Sequence, residues 1–185
     1  MKIYAVTSNQ GKLREFRSVL GPLGFEVEHS DEDCDEIQAD TLREVVIGCL
    51  AQLKGRGIGD LIIDDSGLFI DALKGFPGVY SAYALKTLGL QGALKLMEGV
   101  DDRGARFECC IGATIGGEDI IVTGRCDGTI ALAPSGTEGF GFDPVFIPSG
   151  HSQTFAEISI EEKNSISHRG RALQAFSDEL RRRKE

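Results

Sequence analysis

A chain of 185 residues with 41% hydrophobic residues has enough apolar material for one packed core, and its longest apolar runs are far too short to cross a bilayer. The 29 Asp and Glu against 20 Lys and Arg leave a net charge of −9, which argues against a nucleic acid partner because a phosphate backbone is repelled unless a local basic patch intervenes. Nothing marks an extended disordered tract or a leader peptide, so one cytoplasmic domain over residues 1–185 is expected.

Residues 2–7 read as a first strand, and Ser8 to Gly11 as turn material. Leu13, Phe16, Val19 and Leu20 recur at helical spacing until Gly21-Pro22 stops the helix. Residues 25–29 read as a second strand. Seven acidic residues follow between Asp31 and Glu44. Thr41 with Glu44 three positions later forms a capping box for a helix carrying Leu42, Val45, Val46, Cys49, Leu50 and Leu53 on one face. Leu61-Ile62-Ile63 is a short apolar strand that leads into Asp64-Asp65. Strand and helix alternate as in an α/β sheet. Gly75 to Gly78 is a turn. Residues 82–98 are helical with a break at Gly89, and residues 105–115 and 119–131 form a hairpin around Gly116-Gly117. A short strand at 145–147 precedes helical segments from Phe155 onward, the last with Ala172, Leu173, Phe176 and Leu180 as its buried stripe. The closing Arg181-Arg182-Arg183-Lys184 run reads as a solvated helix terminus that complements the helix dipole.

The five cysteines (Cys34, Cys49, Cys109, Cys110 and Cys126) are odd in number and contain no CxxC pair. Neither a disulfide framework nor a zinc site is expected; the economical reading is five buried, reduced thiols.

Four polar or glycine-rich segments sit beside apolar runs. Thr7-Ser8-Asn9-Gln10-Gly11-Lys12 joins a strand to a helix, where main-chain N–H groups favour anions and Lys12 adds a positive charge. Taken by itself the segment also suits an ordinary capped turn. Asp64-Asp65-Ser66-Gly67 places carboxylates at the end of a buried strand, where α/β folds bind ligands and where Mg²⁺ finds one or two carboxylates plus substrate phosphates. A plain turn remains its alternative. Gly139-Phe140-Gly141-Phe142-Asp143 offers two aromatics: Phe142 reads as core, and Phe140, between glycines, as a stacking surface for a flat ring. Lys163, His168 and Arg169 come last, with an Arg fork suited to a purine's acceptor edge.

In their order and spacing, Ser8-Asn9-Gln10-Gly11-Lys12, Asp64-Asp65-Ser66-Gly67-Leu68, Phe76-Pro77-Gly78, Gly139 to Pro144 and Ser167-His168-Arg169-Gly170 resemble the inosine triphosphate pyrophosphatase family, over nearly the whole chain. The resemblance implies an elongated mixed α/β sheet flanked by helices, with two lobes and a central nucleotide cleft. It implies a homodimer that requires Mg²⁺ and hydrolyses ITP, dITP or XTP to the monophosphate and pyrophosphate. By position, Thr7, Ser8, Asn9, Gln10, Gly11 and Lys12 would hold the triphosphate. Glu36 and Asp65 would bind Mg²⁺, with Asp65 also the proton acceptor. Ser66, Phe140, Gly141, Phe142, Asp143, Lys163, His168 and Arg169 would contact the substrate. Many relatives carry Tyr or Trp at Phe142, and Glu-Asn-Ala where this chain has Glu44-Val45-Val46. A pyrophosphatase for modified pyrimidine nucleotides and a non-catalytic nucleotide-binding regulator are the competing readings.

Overall fold

The computed structural model describes residues 1–183, so Lys184 of the terminal basic run lies outside the described residues. Strand β1 (Lys2–Val6) turns Ile3 and Ala5 inward and its alternate residues outward, the period-two pattern of a half-buried strand. Helix α1 (Gln10–Leu20) buries Leu13, Phe16 and Leu20, and a short 3₁₀ turn over Gly21–Leu23 leads to strand β2 (Glu26–Ser30). β1 and β2 pair in parallel, with Ile3 opposite Val27. Helix α2 (Leu42–Lys54) starts with the expected capping box. The Glu44 N–H donates to Thr41 Oγ1 at 3.2 Å, and the Thr41 N–H donates to Glu44 Oε2 at 3.0 Å.

Strand β3 (Leu61–Ile70) is longer than the sequence reading allowed. Asp64 to Gly67 lie inside it rather than in a turn after it. The reason is the second apolar run Leu68-Phe69-Ile70, which is buried and carries the extended backbone past the polar residues. Helix α3 (Ser81–Leu96) breaks at Gly89, whose φ of 65° takes it out of helical geometry where the sequence anticipated an interruption. Strands β4 (Gly104–Ile115) and β5 (Glu118–Ile130) are joined by Gly116-Gly117, both with positive φ as a two-residue hairpin turn demands. Strand β6 (Phe146–Pro148) runs antiparallel to β5. Helices α4 (Ile160–Ile166) and α5 (His168–Arg182) close the described chain. The sheet is mixed, six-stranded and flanked by helices, with order β2-β1-β3-β4-β5-β6.

Two compact units make up the chain. The first comprises Met1–Asp65, Cys109–Gly124 and the chain from Arg171. Its core packs Phe16, Leu20, Ile62, Cys109, Ile111, Leu173 and Phe176. Within it α2 lies so close to β4 that a Cβ at Gly112 would meet Leu50 Cδ1 at 2.8 Å and collide with Val46. The second comprises Ser66–Glu108 and Arg125–Gly170, around Leu68, Ile70, Phe107, Phe142, Phe146 and Phe155.

One expectation is overturned. Cys34 and Cys49 form a disulfide, with Cα atoms 5.4 Å apart, inside the range that a disulfide spans. The sequence offered no signal for it, because the pairing depends on the irregular 31–40 segment lying back on α2. Cys109, Cys110 and Cys126 are buried as expected. Among the described residues no helix is long and apolar enough to cross a membrane.

Candidate active site

In the first unit the segment after β1 is built as a strand-to-helix turn. Asn9 caps α1: its Oδ1 accepts from the Gly11 N–H at 2.8 Å and from the Lys12 N–H at 3.3 Å. Thr7 Oγ1 in turn accepts from the Asn9 N–H at 3.2 Å. Lys12 projects from the first turn of α1 to β3. Its ammonium lies 3.1 Å from Asp64 Oδ1 and 3.2 Å from the Asp64 carbonyl oxygen. The Asp64 side chain is fully buried, and the Cys109 thiol approaches its Oδ2 at 3.7 Å. Asp64 is a residue whose specific contact the sequence reading did not foresee. Its partner lies 52 positions away, a pairing that no local pattern encodes.

The acid pair also acts on Cys110. Burial pushes that thiol up to about 12, the nearby Asp65 and Asp64 carboxylates push in the same direction, and Arg43 opposes them. A thiol so high remains protonated at neutral pH and is no nucleophile. Glu36 is exposed in the irregular segment before α2. Asp65 follows Asp64 in β3. Glu36 and Asp65 are hard oxygen donors, the type Mg²⁺ takes in ones or twos while substrate phosphates and water complete its shell. Among the described residues there is no cluster of three or more His, Cys, Asp or Glu side chains fit to hold a metal alone.

In the second unit Ser66, Phe140, Asp143, Lys163 and Arg169 come together. Asp143, 3% exposed, accepts with one oxygen from the Lys163 ammonium at 2.6 Å and from the Phe140 N–H at 2.7 Å. The ion pair and the loop are thereby one construction. Gly139 makes it possible: its φ is +74°, and a Cβ there would collide with Asp143 Oδ2 and lie 3.2 Å from Lys163 Nζ. Phe140 is left 45% exposed, with Lys163 Nζ 4.9 Å and Arg169 Cζ 5.5 Å from its ring centroid. Those distances fall within cation–π range. Phe142, by contrast, is buried in the core, as its sequence context indicated.

Arg169 is 3% exposed and donates from Nη2 to Ser66 Oγ at 3.3 Å. It is delivered by a helix junction. The Ser167 N–H donates back to the Lys163 carbonyl at 2.8 Å, ending α4, and Ser167 Oγ accepts from the Gly170 N–H at 3.1 Å, starting α5. Gly170 has to be glycine because a Cβ would run into the Asn164 carbonyl oxygen. His168 is buried with its ring stacked on Phe107, centroids 4.6 Å apart and planes 12° from parallel. Phe107 also contacts Phe146 and Phe155. Phe107 is a support that sequence reading missed, since an inward phenylalanine in a long strand looks like any core residue.

The chain is 50% identical over 181 residues to the dITP/XTP pyrophosphatase of Pyrococcus horikoshii, covering 98% of this chain and 97% of the relative. It is 54% identical over 181 residues to the dITP/XTP pyrophosphatase of Thermococcus kodakarensis, covering 98% of each. Among solved structures, the Staphylococcus aureus Ham1 protein superposes with a TM-score of 0.86 at 31% identity, covering 98% of both chains. The model of the Ham1 family matches residues 3–179, and the chain belongs to that family.

Proposed function

We propose that this protein hydrolyses non-standard purine nucleoside triphosphates, namely ITP, dITP and XTP, to the monophosphate and pyrophosphate, and so cleanses the nucleotide pool. The observation that carries the reading is the Lys12 ammonium held beside the Asp64-Asp65 pair of β3, at the end of a capped strand-to-helix turn. Support comes from the relatives of about 50% identity that bear the name dITP/XTP pyrophosphatase.

The residues divide the work by their chemistry. Thr7 to Lys12 hold the triphosphate: the helix start supplies N–H donors, and Lys12 offsets negative charge on the leaving pyrophosphate. Glu36 and Asp65 would hold Mg²⁺, which would supply positive charge to offset that of the triphosphate. Asp65 orients the attacking water and accepts its proton. Ser66 contacts the substrate next to Asp65 along the strand. Phe140 stacks on the base, and Gly141, Asp143 and Lys163 set that surface. Arg169, beside His168, donates to the 6-keto oxygen that hypoxanthine and xanthine carry and adenine lacks. The enzyme works as a homodimer in the cytoplasm.

The test is ITP turnover with saturating Mg²⁺, resolving IMP and the phosphate product. Asp65→Asn keeps shape and removes the proton acceptor, and should lower kcat by about 10² or more. Unchanged turnover would remove Asp65 from the mechanism. Release of IDP and orthophosphate, or equal hydrolysis of ITP and ATP by the wild type, would overturn the assigned reaction or its selectivity.

A further inference from the structure

Residues 31–40 have almost no regular structure, yet α2 fastens the stretch around Glu36 at successive positions. Cys34 is bonded to Cys49. Gln52 clasps the main chain of Asp35 at both ends: its Oε1 accepts from the Asp35 N–H at 3.0 Å, and its Nε2 donates to the Asp35 carbonyl at 2.8 Å. Ile37 lies over Gly48, its Cδ1 3.4 Å from where a Cβ of that residue would stand. Further back, Arg56 donates to the Glu32 carboxylate at 2.8 Å and to the Asp33 carbonyl at 2.7 Å. Residues 34, 35 and 37 thus each have a fixture on one helix, and Glu36 between them is left exposed.

We infer that Gln52, together with the Cys34–Cys49 disulfide, is a positioning element that presets the Glu36 carboxylate for the divalent cation. The inference rests on the reading of Glu36 as a metal ligand. The physical argument is entropic. A carboxylate on an irregular loop must be immobilised when it binds a cation, and that ordering subtracts from affinity. Mg²⁺ tolerates little departure from octahedral geometry, so a loosely held ligand is used poorly. A double hydrogen bond to the residue before Glu36 and a covalent tie one residue further back place most of that ordering in the folded protein instead. Gln at 52 suits the task because one amide supplies both the donor and the acceptor that a single main-chain residue needs. The disulfide makes the preset sensitive to thiols. An external dithiol such as dithiothreitol breaks the S–S bond, delivers two electrons and two protons to yield two thiols, and leaves as its own cyclic disulfide.

The full-length protein is titrated with Mn²⁺, the free ion being read by electron paramagnetic resonance. Wild type, Glu36→Gln, Gln52→Met, Gln52→Glu and the Gln52→Met/Glu36→Gln double variant are compared, with wild type also measured after dithiothreitol. Gln52→Met should weaken Mn²⁺ binding about tenfold, the size of effect that removing a ligand's supporting partner has. Gln52→Glu, which keeps the acceptor, should fall between. In the Glu36→Gln background Gln52→Met should add nothing, a result that a general loss of structure would not give. Reduction should weaken binding in wild type and speed amide exchange at residues 34–37. If Glu36→Gln weakens Mn²⁺ binding while Gln52→Met and reduction leave it unchanged, the positioning role is wrong and the metal reading stands. If Glu36→Gln itself has no effect, the metal reading of Glu36 falls and this inference falls with it.

Discussion

One oxygen of Asp143 serves both the Lys163 ammonium, at 2.6 Å, and the main-chain N–H of Phe140, at 2.7 Å. A buried ion pair 20 residues apart in sequence is therefore also the clamp on the loop that presents Phe140. Removing one member leaves the other buried without its partner. Lys163→Met should cost about 3 kcal/mol of stability by denaturant unfolding. Adding Asp143→Asn to that variant should recover part of the loss. A double variant no better than the sum of the single ones would show that the two side chains are not coupled.

Phe140 itself is half-exposed and contributes little to the core. Phe140→Leu should leave stability within about 0.5 kcal/mol, as for most surface changes. Loss of the stacking surface should weaken nucleotide binding by about 1–3 kcal/mol, so KM for ITP should rise while kcat changes less. A KM equal to the wild type's would take Phe140 out of base recognition.

Gly112 sits where α2 packs on β4 within the first unit. Gly112→Ala forces a methyl against Leu50 and Val46 in a filled core and should cost about 1–3 kcal/mol. Adding Val46→Ala gives the methyl room, and a double variant that unfolds at higher denaturant than the single one would confirm that the clash is the cause.

The capping box of α2 predicts an acid response. The hydrogen bond from the Thr41 side chain, followed by the Thr41 main-chain hydrogen bond, holds the Glu44 carboxyl below its ordinary value of 4.5. Because the folded value is the lower one, the unfolded chain takes up the proton first. The stabilisation is complete above 4.5 and is lost as pH falls through the folded value. Glu44→Gln should therefore lower the unfolding midpoint slightly at neutral pH and leave it close to the wild type's in acid, so that its fall below pH 4.5 is flatter. Thr41→Ala removes the cap outright and should cost about 1 kcal/mol at pH 7.

Patterns with a short reach were legible along the chain. The capping box at Thr41 and Glu44, the break at Gly89, the Gly116-Gly117 hairpin, the burial of Phe142 and the exposure of Phe140 all follow from neighbours within a few positions. Period, propensity and glycine content act at that range. The ordered motif set carried the family as well, since it depends only on residue types and spacing.

Tertiary structure alone decided the rest, because each remaining feature joins residues that sequence separates. Lys12 meets Asp64 across 52 positions, Arg169 meets Ser66 across 103, and Gln52 reaches back 17 to Asp35. Cys34 finds Cys49 only because an irregular segment folds onto a helix. β3 continues through Asp64-Asp65 because buried Leu68 to Ile70 reward an extended chain, a gain that exists only once there is a core to enter. Hydrophobic burial and pairing of charges act through space, so a one-dimensional pattern names the participants and the fold chooses their partners.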